Sequence, residues 1–281
     1  MTKTCVSDFM TRDVVTVEMP GNRDDVLKFL KRTGISGVPV IKNKKIVGII
    51  TRKDLLRKPE ETQLGLLMTH KPITIHPDAN IQEAAQLLVT GRIRRLPVVE
   101  DNRLVGLLSV ADLIRALAQM KILEEIRNGF TSQTFALWEE TPLPLVENIM
   151  EISGVDAIPL LNRENILEGI ISERDLIRNS SIEDSVGVSD FSIGTDENEW
   201  TWQSIRNTHT ISFGISKVQL PNLPVKFAMV KNVVSVPKNA KVSECAHQMH
   251  RLRLDQMPVI NGDKRLVAML YDRNLMKVFC D

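Results

Sequence analysis

Cysteine is scarce: Cys5, Cys245 and Cys280 are the only three in 281 residues. None stands in a C-x-x-C pair and the count is odd, so neither a disulfide framework nor a structural zinc site is expected. Cys245 falls in a helical pattern and reads as a small core residue. Charge of one sign is missing too. Lys plus Arg number 36 against 35 Asp plus Glu, a net charge of +1. A chain so balanced has no overall attraction to nucleic acid or an anionic membrane, and any anion site must be local. Long apolar runs are absent. Leu104 to Val110 is typical of the longest, far below the roughly 18 residues a spanning helix needs. Met1 to Asp8 holds no apolar signal core, so a cytoplasmic protein is expected. The five histidines contain one close pair, His247 and His250, on a helical pattern. No nucleophile–base pair is visible, so neither an enzyme, a metal site nor a required cofactor is expected.

The chain does hold 43% hydrophobic residues, enough for a core and for about two domains. It also holds an internal repeat, which decides the fold. Val38-Pro39, Leu96-Pro97, Ile158-Pro159 and Met257-Pro258 are each followed by two apolar residues. Thr16, Thr74, Ala136 and Ser235 lie 23 residues before these prolines. Thr51, Ser109, Ser172 and Tyr271 lie 12, 12, 13 and 13 residues after them.

Each copy reads β-α-β-β-α. In repeat 1, Asp13 to Val17 is a short strand, Pro20-Gly21-Asn22 breaks it, and Val26, Leu27, Phe29 and Leu30 recur at helical spacing. Val38 to Ile41 and Ile46 to Ile50 are buried strands around an Asn43-Lys44-Lys45 turn, and a helix starts at Thr51. Repeats 2 and 3 follow the same order, with first strands at Ile73 to Ile75 and Thr134 to Leu137 and a further helical stretch, Ile122 to Arg127, between them. The proline intervals of 58, 62 and 99 place an insertion before repeat 4. Within it, Ser180 to Asn198 reads mostly as loop, Trp200 and Trp202 follow, and Thr210 to Val218 alternates like a strand attached to repeat 4. The expected units are 1–58, 59–120, 121–180, and 181–281 with the insertion. A unit of about 60 residues is marginal alone, so the four should pair.

Three sets of residues carry chemistry. Thr51-x-x-Asp54, Ser109-x-x-Asp112 and Ser172-x-x-Asp175 match a helix capping box. The same geometry offers phosphate a helix N-terminus and offers ribose a carboxylate. Repeat 4 reads Tyr271-Asp272-Arg273-Asn274, and Gly48, Gly106 and Gly169 become Ala268 there. This departure suits a lost site better than a universal cap, although a different cap at Asp272 would rescue the simpler view. Thr11, Thr69 and Thr131 lie 28 residues before their prolines, where repeat 4 has Val230, and the same three-plus-one pattern assigns their hydroxyls to the site. Finally, Arg92, Arg94 and Arg95 precede Leu96-Pro97 with no counterpart elsewhere. Such a run is often a solvated face, but guanidinium forks at this mouth suit phosphate. Lys53 and Arg174 add to that charge, whereas Asp156 and Asp255 would repel phosphate.

The pattern Val-Thr-Val, helix, Gly-Val-Pro-Val, Val-Gly-Ile-Ile-Thr-x-x-Asp resembles the cystathionine β-synthase (CBS) domain. Four copies cover nearly the whole chain apart from the insertion. The resemblance implies an α/β (α+β) fold of four repeats in two Bateman modules stacked as a flat disc, with an inserted strand or hairpin before repeat 4. The four-domain arrangement is similar to that of γ subunits of AMP-activated protein kinases and of stand-alone archaeal CBS proteins, which implies that Arg94 and Arg95 meet phosphate. It also implies nucleotide sites in the clefts, with ribose and phosphate on the Ser/Thr-x-x-Asp motif. Adenine would lie on the first strand (Val15, Thr16, Ile73, Phe135) and the pre-proline loop (Gly37, Val38, Leu96). The expected function is sensing of AMP, ADP or ATP without turnover, with a regulated protein as partner and homodimerisation open. Two alternatives stand beside it: S-adenosylmethionine held by the same carboxylate, and a nucleic-acid-binding scaffold using Arg92 to Arg95 with Arg251 and Arg253. Near-neutral charge and few aromatics count against the scaffold.

Overall fold

Apolar residues on both sides of each proline make a strand pair buried on both faces, and the pair forms four times. In the computed structural model, which describes residues 5–101, 103–126, 131, 133–192 and 208–280, repeat 1 runs β1 (Val17–Glu18), α1 (Arg23–Thr33), β2 (Gly37–Lys42), β3 (Lys45–Thr51) and α2 (Arg52–Arg57). Repeat 2 runs α3 (Leu64–Leu67), β4 (Thr69–His70), α4 (Ile81–Thr90), β5 (Arg95–Glu100), β6 (Arg103–Ser109) and α5 (Val110–Gln119). Repeat 3 has β7 (Leu137–Trp138), α6 (Leu143–Ser153), β8 (Ala157–Leu161), β9 (Leu167–Ser172) and α7 (Glu173–Asn179). A hairpin, β10 (Ser181–Ser192) and β11 (Thr208–Gln219), leads to repeat 4: β12 (Val236–Pro237), α8 (Val242–Leu252), β13 (Gln256–Ile260), β14 (Leu266–Tyr271) and α9 (Asp272–Leu275).

The first strands are shorter than the sequence suggests, and the proline is the reason. β1 pairs in parallel with β2 only at Val17↔Val40 and Glu18↔Ile41. In repeat 2 the ladder shrinks to the single bridge Ile75↔Val98. There the Ile75 amide donates to the Pro97 carbonyl at 3.0 Å. Pro97 has no N–H to return to the carbonyl of residue 73. Residue 73, and by register residues 15 and 135, therefore peels away from the sheet.

The repeats pair by exchanging their leading segments. Thr11 and Leu107 exchange two backbone hydrogen bonds of 2.9 Å, so the start of repeat 1 joins the third strand of repeat 2. β4 of repeat 2 returns the exchange against β3, and Val230 of repeat 4 joins Ile170 of repeat 3. A methionine follows each exchange into the partner. A Cβ on Gly48, Gly106 or Gly169 would lie 2.4, 2.4 or 2.3 Å from the Sδ of Met68, Met10 or Met229. These glycines admit a packing side chain, which corrects their link to a ligand site. Helices join the two modules: α5 packs on α8 and α9, while α2 and α1 pack on α7. The largest core therefore spans repeats 2 and 4, with Leu96, Leu113 and Leu117 against Val242, Met249 and Leu270. Each such leucine contributes about 1.5–3 kcal/mol of burial.

Two further expectations are corrected. Ile122 to Ile126 is not helical: it runs as an extended link whose Glu125 bridges Lys241. Within Ser180 to Asn198, the residues 181–192 form a strand of twelve residues, because Thr208 to Gln219 supplies an antiparallel partner along its whole length. Trp200 and Trp202 lie outside the described residues. The base of this hairpin packs on repeat 1 rather than repeat 4. Val218 and Ile182 join its core. Arg23, with no exposed surface, donates to the Ser216 carbonyl and hydroxyl at 2.9 Å and to the Pro59 carbonyl at 2.7 Å.

Candidate functional site

The Ser/Thr-x-x-Asp copies share one geometry. The Asp54 Oδ2 accepts from the Thr51 amide and hydroxyl, both at 2.7 Å. Asp112 Oδ2 accepts from the Ser109 amide and hydroxyl at 2.9 and 2.6 Å. Asp175 Oδ2 accepts from the Ser172 amide and hydroxyl at 3.0 and 2.6 Å. Each box commits one carboxylate oxygen. The Oδ1 of Asp54 and of Asp175 has no partner among the described residues. The Oδ1 of Asp112 faces Arg115 at 3.4 Å, and Arg115 is tied in turn to the Phe9 carbonyl. Capping thus occupies one oxygen of each carboxylate and leaves the other outside the box.

Ahead of each box lies the peeled first strand. Val15, Ile73 and Phe135 keep 52%, 45% and 38% of their surface exposed, whereas the repeat 4 counterpart Val234 is packed against a core. Three apolar side chains are therefore open to a flat ring. Thr16 and Thr131 are half-buried, and Thr11 and Thr69 are exposed with their backbones in the exchanged strands. Gly37 is buried at the mouth of β2. Val38 and Leu96 are wholly buried in hydrophobic cores. Strand alternation points these two side chains inward, so they can meet a ligand only through the main chain.

The pre-proline loops and helix starts of all four repeats converge on one charged centre, and here the expected roles change. Arg94 does not stand open for phosphate. It forms a fork on Asp272 of repeat 4 (Nη1 to Oδ1 3.1 Å, Nη2 to Oδ2 2.6 Å) and lies 3.1 Å from Asp255. Burial alone would disfavour its charge, but these two carboxylates hold its pKa above the ordinary value. Nor do Asp156 and Asp255 stand unpaired. Asp255 also meets Arg174 at 3.5 Å, and Asp156 meets Arg273 at 3.2 Å.

Arg95 differs from its neighbour. Its only side-chain hydrogen bond among the described residues goes to the Ser36 hydroxyl. Burial, followed by the charges of Arg94 and Arg52, pushes its pKa down to about 10. Arg52 was not foreseen. It is 3% exposed, donates to the Gly34 carbonyl, and has no carboxylate within ion-pair distance among the described residues. Its pKa also falls to about 10, through burial and then Arg174. Glu173 was missed as well: burial, then Asp156, push it up to about 7. The available signal was the residue after each Ser/Thr/Tyr anchor, which reads Arg52, Val110, Glu173 and Asp272. A position that alternates charge between copies is one that faces its own copies. Lys53 lies beside Glu173 between α2 and α7.

Comparison with known proteins agrees with this architecture. The CBS-domain family model matches residues 6–61, 64–119, 124–181 and 225–281. The chain is 35% identical over 126 residues to the uncharacterized protein MJ0188 of Methanocaldococcus jannaschii; the match takes 44% of this chain and 48% of that protein. The structure is similar to that of MJ1225 from the same organism, proposed as an archaeal homologue of γ-AMPK. The two share 20% identity and a TM-score of 0.78, with 98% of this chain and 100% of that one covered. A conserved protein from Pyrococcus horikoshii is also similar, at 24% identity, a TM-score of 0.65 and the same coverage.

Proposed function

The chain belongs to the CBS-domain family, and from that premise we propose that it is a regulatory protein that binds adenine nucleotides without turning them over. One observation carries the reading. Exposed apolar side chains precede the boxes of three repeats, two of those boxes leave a carboxylate oxygen uncommitted, and two arginines meet no carboxylate within ion-pair distance among the described residues: these are the groups that a base, a ribose and a phosphate require. Val15, Ile73 and Phe135 offer faces for adenine. Asp54 and Asp175 offer an oxygen to ribose hydroxyls, as acidic residues do in other nucleotide folds. Arg52 and Arg95 are desolvated cations that need an anion. Such a protein acts by passing ligand occupancy to a partner through the module interface. Isothermal titration of nucleotide-free protein tests the reading. Heat with AMP, ADP or ATP is expected, with one site lost in Asp54→Ala. No heat with any of them at millimolar concentration ends it.

A second reading has its own support. The uncommitted oxygens of Asp54 and Asp175 would hold the ribose of S-adenosylmethionine as readily as that of AMP. Competition decides: under this reading S-adenosylmethionine displaces AMP, and under the first it does not.

A further inference from the structure

We propose that the central cluster selects a nucleoside monophosphate over the di- and triphosphate, and that Asp272 and Asp255 impose the choice. The inference rests on the nucleotide-binding reading above and narrows it. Its basis is the pairing of charges at the centre. Arg94, Arg174 and Arg273 are matched by Asp272, Asp255 and Asp156 at 2.6 to 3.5 Å. Lys53 and Glu173 line one pocket, where the Lys53 charge favours the Glu173 carboxylate. Arg52, 3% exposed, and Arg95, half-buried, remain, their side chains held among the described residues only by the Gly34 carbonyl and the Ser36 hydroxyl.

Two unmatched guanidiniums balance one phosphomonoester dianion. A triphosphate brings about two further negative charges into the same space. The arginines that could accept them are already occupied, and the carboxylates that occupy them would face the added phosphates. Asp272, 1% exposed, cannot swing out to solvent to make room. It is held from below as well, by the Arg273 amide at 2.7 Å. The repeat 4 carboxylate thus stands where extra phosphate oxygens would have to go. This also explains why Arg94 and Arg95, adjacent in sequence, face different partners: one is spent on the protein and the other is left for the ligand.

The test is titration of the full, nucleotide-free chain with AMP, ADP and ATP at one ionic strength, because charge interactions weaken with salt. AMP is expected to bind at least tenfold more tightly than ATP. Asp272→Asn removes the forked partner of Arg94 and leaves it Asp255 alone, and Asp255→Asn frees Arg174 and leaves Arg94 on Asp272 alone. Either should reduce the AMP-to-ATP ratio at least tenfold, and the second variant serves if the first fails to fold. ATP binding as tightly as AMP to the unmodified protein, or a ratio unchanged in both variants, overturns the proposal. A parallel arm measures thermal stabilisation by inorganic phosphate and by tripolyphosphate. Preference for phosphate, reversed in Asp272→Asn, with no response to any nucleotide would keep the charge matching and remove the nucleotide reading. Absence of both responses removes both.

Discussion

Arg94 and Arg95 provide the sharpest test, because adjacent and chemically identical side chains should respond oppositely to removal. Arg94→Ala leaves Asp272, with 2% of its side chain exposed, and Asp255 without their main counter-charge. Breaking a buried pair from one side costs about 3–5 kcal/mol. Arg94 keeps 27% of its side chain exposed, so the lower end applies, about 3 kcal/mol. In a chain of this size that corresponds to a melting point lower by about 6 °C. Arg95→Ala removes a cation with no carboxylate partner and relieves its repulsion of Arg94 and Arg52. It forfeits one hydrogen bond to Ser36, worth about 1 kcal/mol. The expected change is within about 1 kcal/mol of zero. Nucleotide binding should follow the reverse order, falling most in Arg95→Ala. Ligand-free calorimetric melts of both variants make the comparison, and Arg94→Ala/Asp272→Ala completes a cycle with a coupling of about 2 kcal/mol. An Arg94→Ala melt within 1 °C of the parent, or an equal drop in Arg95→Ala, would refute the assignment.

Glu173 should make stability depend on pH. Its folded pKa of about 7 lies above the ordinary carboxyl value because of burial and then Asp156. The folded state therefore holds the proton more tightly. The contribution is complete below about pH 4 and lost as pH rises to 7. Urea melts at pH 5 and pH 8 should show the parent losing about 2 kcal/mol more than Glu173→Gln; equal losses would contradict the shift. Arg23→Met should strip the Ser216 and Pro59 carbonyls of their buried donor, at a cost of about 2–3 kcal/mol. Hydrogen exchange of the Val218 amide, which donates to Pro59 at 2.8 Å, should quicken well ahead of amides in α5. Gly48→Ala should cost about 2 kcal/mol, because its Cβ would meet Met68 Sδ at 2.4 Å and the Thr69 carbonyl at 2.9 Å. Met68→Ala in the same chain relieves only the first contact, so thermal melts should show partial recovery.

Much of the fold was legible because it repeats. Spacings of 23 residues before each proline located every strand pair and first helix, since four aligned copies suppress local ambiguity. The first strands were overextended because Thr16 and its neighbours have good strand propensity. The limit was set across the ladder by a proline that lacks one donor, a fact of pairing rather than of propensity. Ser181 to Ser192 was mistaken for loop for the converse reason. Its Gly, Ser and Asp content disfavours a strand, yet β11 supplies an antiparallel partner along its whole length.

The site divides along the same line. Periodicity identified Thr51, Ser109, Ser172 and their aspartates, and the departure of repeat 4 marked them as more than caps. The repeat 4 helix start is held differently: Asn274 Oδ1 accepts from the Tyr271 amide at 3.0 Å and Asp272 Oδ1 from the Arg273 amide at 2.7 Å, the alternative cap that the simpler view requires. Arg94 was misassigned because its partner lies 178 residues away, in the repeat that had abandoned the motif. Equivalence between copies reveals which positions face the centre, but not which charge meets which. Asp272 shows why the fourth copy departs. Its anchor segment carries Asn274 where the other copies have the box aspartate, and a carboxylate two residues earlier that binds Arg94 of repeat 2. Repeat 4 lacks the box carboxylate and contributes Asp272 to the charged centre instead.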